Sequence, residues 1–253
     1  MPERFKGAPE QPRNKLEILK EKGIVSFEVK LTAKEKKAVE KIEIEKELPQ
    51  LNYYGPADEA LVEELHAYLG QLEGNSEEVI SAVSGLIARV AHGMQKDFKK
   101  GSCWTMVRVS LPNADFDIPR WHQDGNYVKP AGGIVAYKLV FTVKGARSRF
   151  AEIAEAEKYK ELEGEASKNY TDYRFHNGNQ KEYEKKGREI REKLLPTVTE
   201  TKPIDENQAV IYRVGDDEAK VHSEPPMDAP RIFMSVVTGS PEEIQEFKKR
   251  WER

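Results

Sequence analysis

The sequence predicts an α+β fold in which helices come first and strands follow. Up to Lys99, apolar residues recur at helical spacing in two long stretches. From Cys103 the pattern changes to short runs rich in Val, Ile, Thr and aromatic residues, interrupted from Ala151 to Pro203 by charged sequence of helical character. A chain of 253 residues with 38% hydrophobic content can bury one substantial core, so residues 1–253 are expected to form a single domain. Within it, 1–100 reads as a support region of helices and a strand, and 101–253 as the stranded core with an insertion at about 151–203.

Charged residues make up 34% of the chain, but the formal net charge is only -3. That balance argues against a nucleic-acid partner, which would be met by a basic excess or stripe. The lysine-rich stretches Lys34–Lys41 and Lys181–Arg191 interleave Glu at helical spacing and read as solvated helix faces. Cys103 stands alone, so no internal disulfide can form, and Met1-Pro2-Glu3-Arg4 lacks the apolar centre of a secretory signal. No run is long enough to cross a bilayer. A cytoplasmic location without a membrane partner is expected, and the oligomeric state is left open.

Taken in order, Met1–Arg13 carries three prolines and reads as a mobile leader. Asn14–Lys22 forms a short helix ended by Gly23, and Ile24–Leu31 alternates as a strand. Thr32-Ala33-Lys34-Glu35 is a capping-box pattern that starts another helix. Leu48–Pro56 reads as a loop. Ala57–Leu72 and Ser76–Lys99 are amphipathic helices whose apolar stripes should pack across one face of the main sheet. Their His66 and His92 read as polar-boundary residues rather than ligands.

Cys103–Leu111 is expected as the first core strand, followed by a loop whose Asp115 and Asp117 are rival carboxylates without a His on the same strand face. Arg120-Trp121-His122-Gln123-Asp124-Gly125 comes next. On a strand, an imidazole and a carboxylate two residues apart point to one side and can grip one metal ion. Asn126 and Tyr127 would then line the mouth of the site or simply pack the loop. Ile134–Val143 is the longest apolar strand, with Tyr137 and Lys138 on opposite faces. In the charged region, Ala151–Leu162 and Gln180–Leu195 read as helices, and His176 between them is a rival ligand. Gln208–Val214 resumes the core, Gly215-Asp216-Asp217 turns, and Glu218–His222 is expected to run back beside it. After the proline-rich turn Glu224–Pro230, Arg231 would open a strand adjacent to the one bearing His222, with Ser235 on its own face. Ser240 caps a last helix over Pro241–Arg253.

This order of strand, His-x-Asp, strands, insertion, strand, turn, His222, proline loop and Arg231 resembles the Fe(II)/2-oxoglutarate-dependent dioxygenase superfamily, and within it the phytanoyl-CoA-hydroxylase-like and small bacterial branches. The resemblance runs from about Cys103 to Thr238. It implies a double-stranded β-helix, a jelly-roll or cupin-like barrel, with the N-terminal helices on its major sheet. It implies that His122, Asp124 and His222 hold Fe(II), leaving positions open for 2-oxoglutarate and O2. Arg231 would take the far carboxylate of 2-oxoglutarate through its planar fork, assisted by Ser235 and by Tyr137 or Lys138. Tyr170, Tyr173, Arg174 and Phe175 of the insertion would help define a small-molecule or peptide substrate as a lid, or else pack outside the barrel. The implied outcome is hydroxylation with release of succinate and CO2.

Two other classes share these residues. A cupin-like isomerase or hydrolase could use the three ligands with Zn(II) or Mn(II) and would not need Arg231 for a diacid. A binding module that kept the barrel and lost the metal would be indifferent to His122→Ala.

Overall fold

A computed structural model describes residues 15–113, 117–125, 128–129, 135–175, apart from the Phe175 side chain, and 179–252. Helix α1 (Lys15–Lys22) buries Leu19 and ends where Gly23 takes a φ of 68°, feeding strand β1 (Ile24–Glu28). Helix α2 (Ala33–Lys41) starts at the expected capping box, in which Thr32 and Glu35 satisfy each other's backbone N–H. Next come β2 (Leu48–Gly55), α3 (Glu59–Leu69) and α4 (Glu77–Asp97), the last capped by Ser76. Strands β3 (Ser102–Ser110), β4 (Ala136–Lys144) and β5 (Arg149–Ile153) lead into helices α5 (Ala156–Phe175) and α6 (Gln180–Leu194). The chain ends with β6 (Val198–Glu200), β7 (Gln208–Val214), β8 (Val221–Ser223), β9 (Arg231–Gly239) and α7 (Pro241–Trp251), which carries a second capping box at Ser240.

The strands form two antiparallel sheets, one of six in the order β1-β7-β4-β9-β3-β2 and one of three in the order β6-β5-β8. His122 extends the smaller sheet by a bridge to His222, each giving its N–H to the other's carbonyl at 3.0 Å. Strand alternation then sorts the side chains. Leu139, Phe141, Ile211, Met234 and Val236 share the face of the large sheet covered by α2, α3 and α4, packing with Leu61, Leu65, Val83 and Ile87. Each such fully buried side chain contributes roughly 1.5–3 kcal/mol. On the opposite face the register aligns Tyr212, Lys138, Val237, Trp104 and Tyr54 in one row across five strands.

Four sequence expectations are corrected. Leu48–Gly55 is an edge strand, not a loop; Pro49 beside a bulge between Leu48 and Leu51 breaks the alternation, and an edge tolerates a proline. The insertion is shorter than 151–203, because Ala151 lies in β5 and Val198–Glu200 is a strand, and runs this short carry little periodic signal. Glu218–His222 does not pair back on β7: one bond, Lys220 N–H to the Arg213 carbonyl at 3.0 Å, ends that contact, and β8 crosses to pair with β5. Arg231 therefore opens a strand between β3 and β4 in the other sheet rather than beside His222.

The insertion is a hairpin of α5 and α6 packed on the outer side of the smaller sheet. Trp121, Ala151 and Val221 form one apolar cluster with Tyr159, Leu162, Ile190 and Leu194. Their strand neighbours His122, Phe150 and His222 point the other way, toward the large sheet: the Phe150 and His222 rings lie 5.1 and 4.9 Å from the Tyr212 ring. Among the described residues no helix is long and apolar enough to cross a membrane.

Candidate metal centre

The centre is assembled from both sheets. The smaller one supplies His122 and His222 on adjoining backbone segments, with ring centroids 4.3 Å apart. Asp124 follows His122 by one alternation step, and its backbone carbonyl accepts the Gly215 N–H at 3.1 Å, which ties the ligand loop to the turn after β7. One donor atom from each of His122, Asp124 and His222 lies within 4.8 Å of the others.

Both imidazoles are oriented alike. His122 Nδ1 faces the Arg120 carbonyl at 2.8 Å and His222 Nδ1 the Lys220 carbonyl at 3.2 Å, each two residues upstream. With Nδ1–H donating to a carbonyl, Nε2 of each ring is left bare, which is how second-sphere bonds prepare an imidazole for a metal. Burial, helped by His222 and Arg120, pushes His122 down to about 3, and burial lowers His222 against the pull of Asp124. Neutral rings are the form that ligates.

Asp124 is buried and is met from the large sheet. Lys138 Nζ lies 3.1 and 3.3 Å from its two carboxylate oxygens, and the Tyr212 hydroxyl lies 3.0 Å from Oδ2. Lys138 thus has the partner that a buried ammonium needs. Two imidazoles and a carboxylate suit a divalent ion such as iron, zinc or manganese, and the residues fit the group that the resemblance implies.

Arg231 lies on the same face of the large sheet as Lys138, about 13 Å of strand away when measured along β4 from Lys138 to Thr142. Its Nε donates to the Ala146 carbonyl at 2.8 Å, and Nη2 reaches Ser148 and Thr142 at 3.2 and 3.4 Å. Nη1 has no hydrogen-bond partner among the described residues, and no carboxylate lies within ion-pair distance of this guanidinium there. Burial pushes it down to about 10. Ser235 is buried in the row between Arg231 and Lys138, opposite Val140.

Sequence reasoning missed Glu224. Burial alone would raise its carboxyl, but the Arg120 guanidinium holds it well below the usual carboxylate range. It pairs with Arg120, lies 3.9 Å from Arg108, and its charge acts on both His122 and Arg231. Its position two residues past His222, hence on the same strand face, was the available signal. Tyr212 was missed as well, and only its register opposite Lys138 places it.

The other expected site residues that are described make contacts away from this cluster. Tyr137 is on the helix-covered face, its ring 5.5 Å from that of Phe98. Tyr173 stacks on Tyr183 at 4.5 Å, and the Tyr170 hydroxyl accepts from Arg174, so these residues serve contacts within the α5/α6 hairpin. Asn126, Tyr127, Asp115, His176 and the Phe175 side chain lie outside the described residues. Asp117 pairs with Arg188 of α6, His66 with Glu77, and His92 with the Ala57 carbonyl.

No family model matches the chain, and no curated protein does. Among solved structures it is similar to the crystal structure of a dioxygenase for auxin oxidation in rice, with 11% identity and a TM-score of 0.43 over 87% of this chain and 74% of that one. A likeness at this score decides neither fold nor activity.

Proposed function

We propose that the chain is a non-haem Fe(II) and 2-oxoglutarate-dependent dioxygenase that hydroxylates a small molecule or peptide. The observation that carries this reading is the convergence of His122, Asp124 and His222, with a buried Arg231 on the facing sheet that has no carboxylate partner among the described residues. A buried guanidinium without a directly paired carboxylate is costly, and the far carboxylate of a five-carbon keto diacid would supply one. The strand orders β7-β4-β9-β3 and β6-β5-β8, the latter extended by His122, support reading the two sheets as a double-stranded β-helix.

When bound, Fe(II) would supply the oxidative chemistry, coupling decarboxylation of 2-oxoglutarate to substrate oxidation with release of succinate and CO2. The chain's own residues do the rest. His122 and His222 present bare nitrogens, while Lys138 and Tyr212 hold the Asp124 carboxylate in one orientation. Thr142 and Ser148 aim the Arg231 fork, and the substrate enters where Arg108 and Arg120 stand partly exposed around Glu224.

Anaerobic titration of the metal-free protein with Fe(II) and 2-oxoglutarate tests this. The expected result is a weak visible band from the chelated keto acid, lost in Arg231→Ala, and succinate formation once air is admitted. A metal-loaded protein that gives neither band nor succinate would place the chain with the non-redox metal enzymes.

A further inference from the structure

We propose that Tyr212 is itself a metal ligand, so that the ion alone is held by two imidazoles, a carboxylate and a phenolate. The assignment rests on the metal-centre reading and extends it. Tyr212 is wholly buried, and its hydroxyl lies 3.0 Å from Asp124 Oδ2 and 3.3 Å from His222 Nε2, which are themselves 3.5 Å apart. The circle through those three atoms has a radius of about 1.9 Å, so a point just off their plane is about 2.0–2.1 Å from all three, the ordinary length of a metal bond to nitrogen or oxygen.

With His222 Nδ1 donating to the Lys220 carbonyl, its Nε2 presents a lone pair, as do the Asp124 carboxylate and the phenol oxygen. An ion in the middle would take all three, with the phenol proton leaving to solvent as the oxygen–metal bond forms.

Charge points the same way. The Lys138 ammonium already neutralises Asp124, so a divalent or trivalent ion bound by the triad alone would be poorly compensated, and a phenolate supplies the missing negative charge. The assignment is for the ion without co-substrate; a keto-acid chelate claims further positions, and Tyr212 then keeps Asp124 as its alternative partner.

The test is to load the metal-free protein with ferric ion alone, measure bound iron, and record the visible and resonance Raman spectra. The expected result is a phenolate-to-iron charge-transfer band carrying tyrosine ring vibrations, abolished in Tyr212→Phe while the triad still retains iron. Tyr212→His, which keeps a ligand but no phenol, gives the same loss of the band if the Phe variant does not fold. Iron bound to the wild type without such a band, or a band that survives both substitutions, overturns the assignment and leaves Tyr212 a positioning residue for Asp124. Iron uptake that is absent, or unchanged in His122→Ala, removes the metal centre itself and Tyr212's place in it.

Discussion

At the scale of single residues, the centre is a balance between one carboxylate and two cations that want it. Lys138 and an incoming metal would share Asp124, and removing the lysine takes away the ammonium that faces that buried carboxylate while the Tyr212 hydroxyl stays beside it. Losing one partner of a buried ion pair costs about 3–5 kcal/mol. Lys138→Met is therefore expected to melt well below the wild type without metal, and saturating Mn(II) should raise its midpoint by more than it raises the wild type's, because the ion then replaces the ammonium. Thermal melts with and without Mn(II) check this, and equal metal-induced shifts would count against it. The convergence of His122, Asp124 and His222 was legible in sequence because His-x-Asp is followed, in the order the resemblance expects, by a distant His on a strand. Tyr212 and the Lys138–Asp124 pair were not, since they depend on which strand lies opposite which, and neither side chain announces a partner.

At the scale of elements, local signals were read well where a cap or a long periodic stripe marks them, as at Thr32, Ser76 and Ser240. Glu35 shows what such a cap contributes. Burial tends to raise its carboxyl, but the Thr32 N–H and hydroxyl and the Arg89 guanidinium more than offset that, leaving it below its ordinary value. A depressed carboxyl stabilises the fold above its unfolded pKa, and the gain is lost as pH falls through the folded value. Glu35→Gln should cost about 1–2 kcal/mol at neutral pH, with the gap to the wild type closing as pH falls below the ordinary glutamate value and through the lowered folded one; denaturant titrations at neutral and acid pH decide. Gly145 holds the approach to β9 with a φ of 91°, where an added Cβ would lie 2.6 Å from the Pro230 carbonyl oxygen and 3.1 Å from Arg231 Cα. Gly145→Ala is expected to cost about 1–3 kcal/mol by displacing the start of β9 and, under the proposed function, to weaken 2-oxoglutarate binding at Arg231, which melts and the chelate band would respectively register. The very short strand β6 escaped sequence reading because three residues do not make a period, whereas β8 was read as a strand but given β7 as its neighbour instead of β5.

At the scale of the whole molecule, the placement of Arg231 shows how far sequence order carries. That it opens a strand after His222 was legible, but the route was not: the turn at Gly215 sends the chain from one sheet to the other, so Arg231 and His222 lie in different sheets instead of on neighbouring strands. The charged insertion is likewise a hairpin stacked outside the smaller sheet through Trp121, a role that its composition did not distinguish from a lid. What holds the centre together is thus the apposition of two sheets, each contributing what the other lacks: imidazoles and a carboxylate from one, a lysine and a phenol from the other.

The most direct test of that apposition is an anaerobic equilibrium titration of the metal-free protein with Fe(II), run in parallel on His122→Ala and His222→Ala variants whose folding is verified by circular dichroism. The account predicts one ion per wild-type chain and binding weaker by at least about 100-fold in each variant. Equal uptake by all three proteins, or none by the wild type, would contradict it.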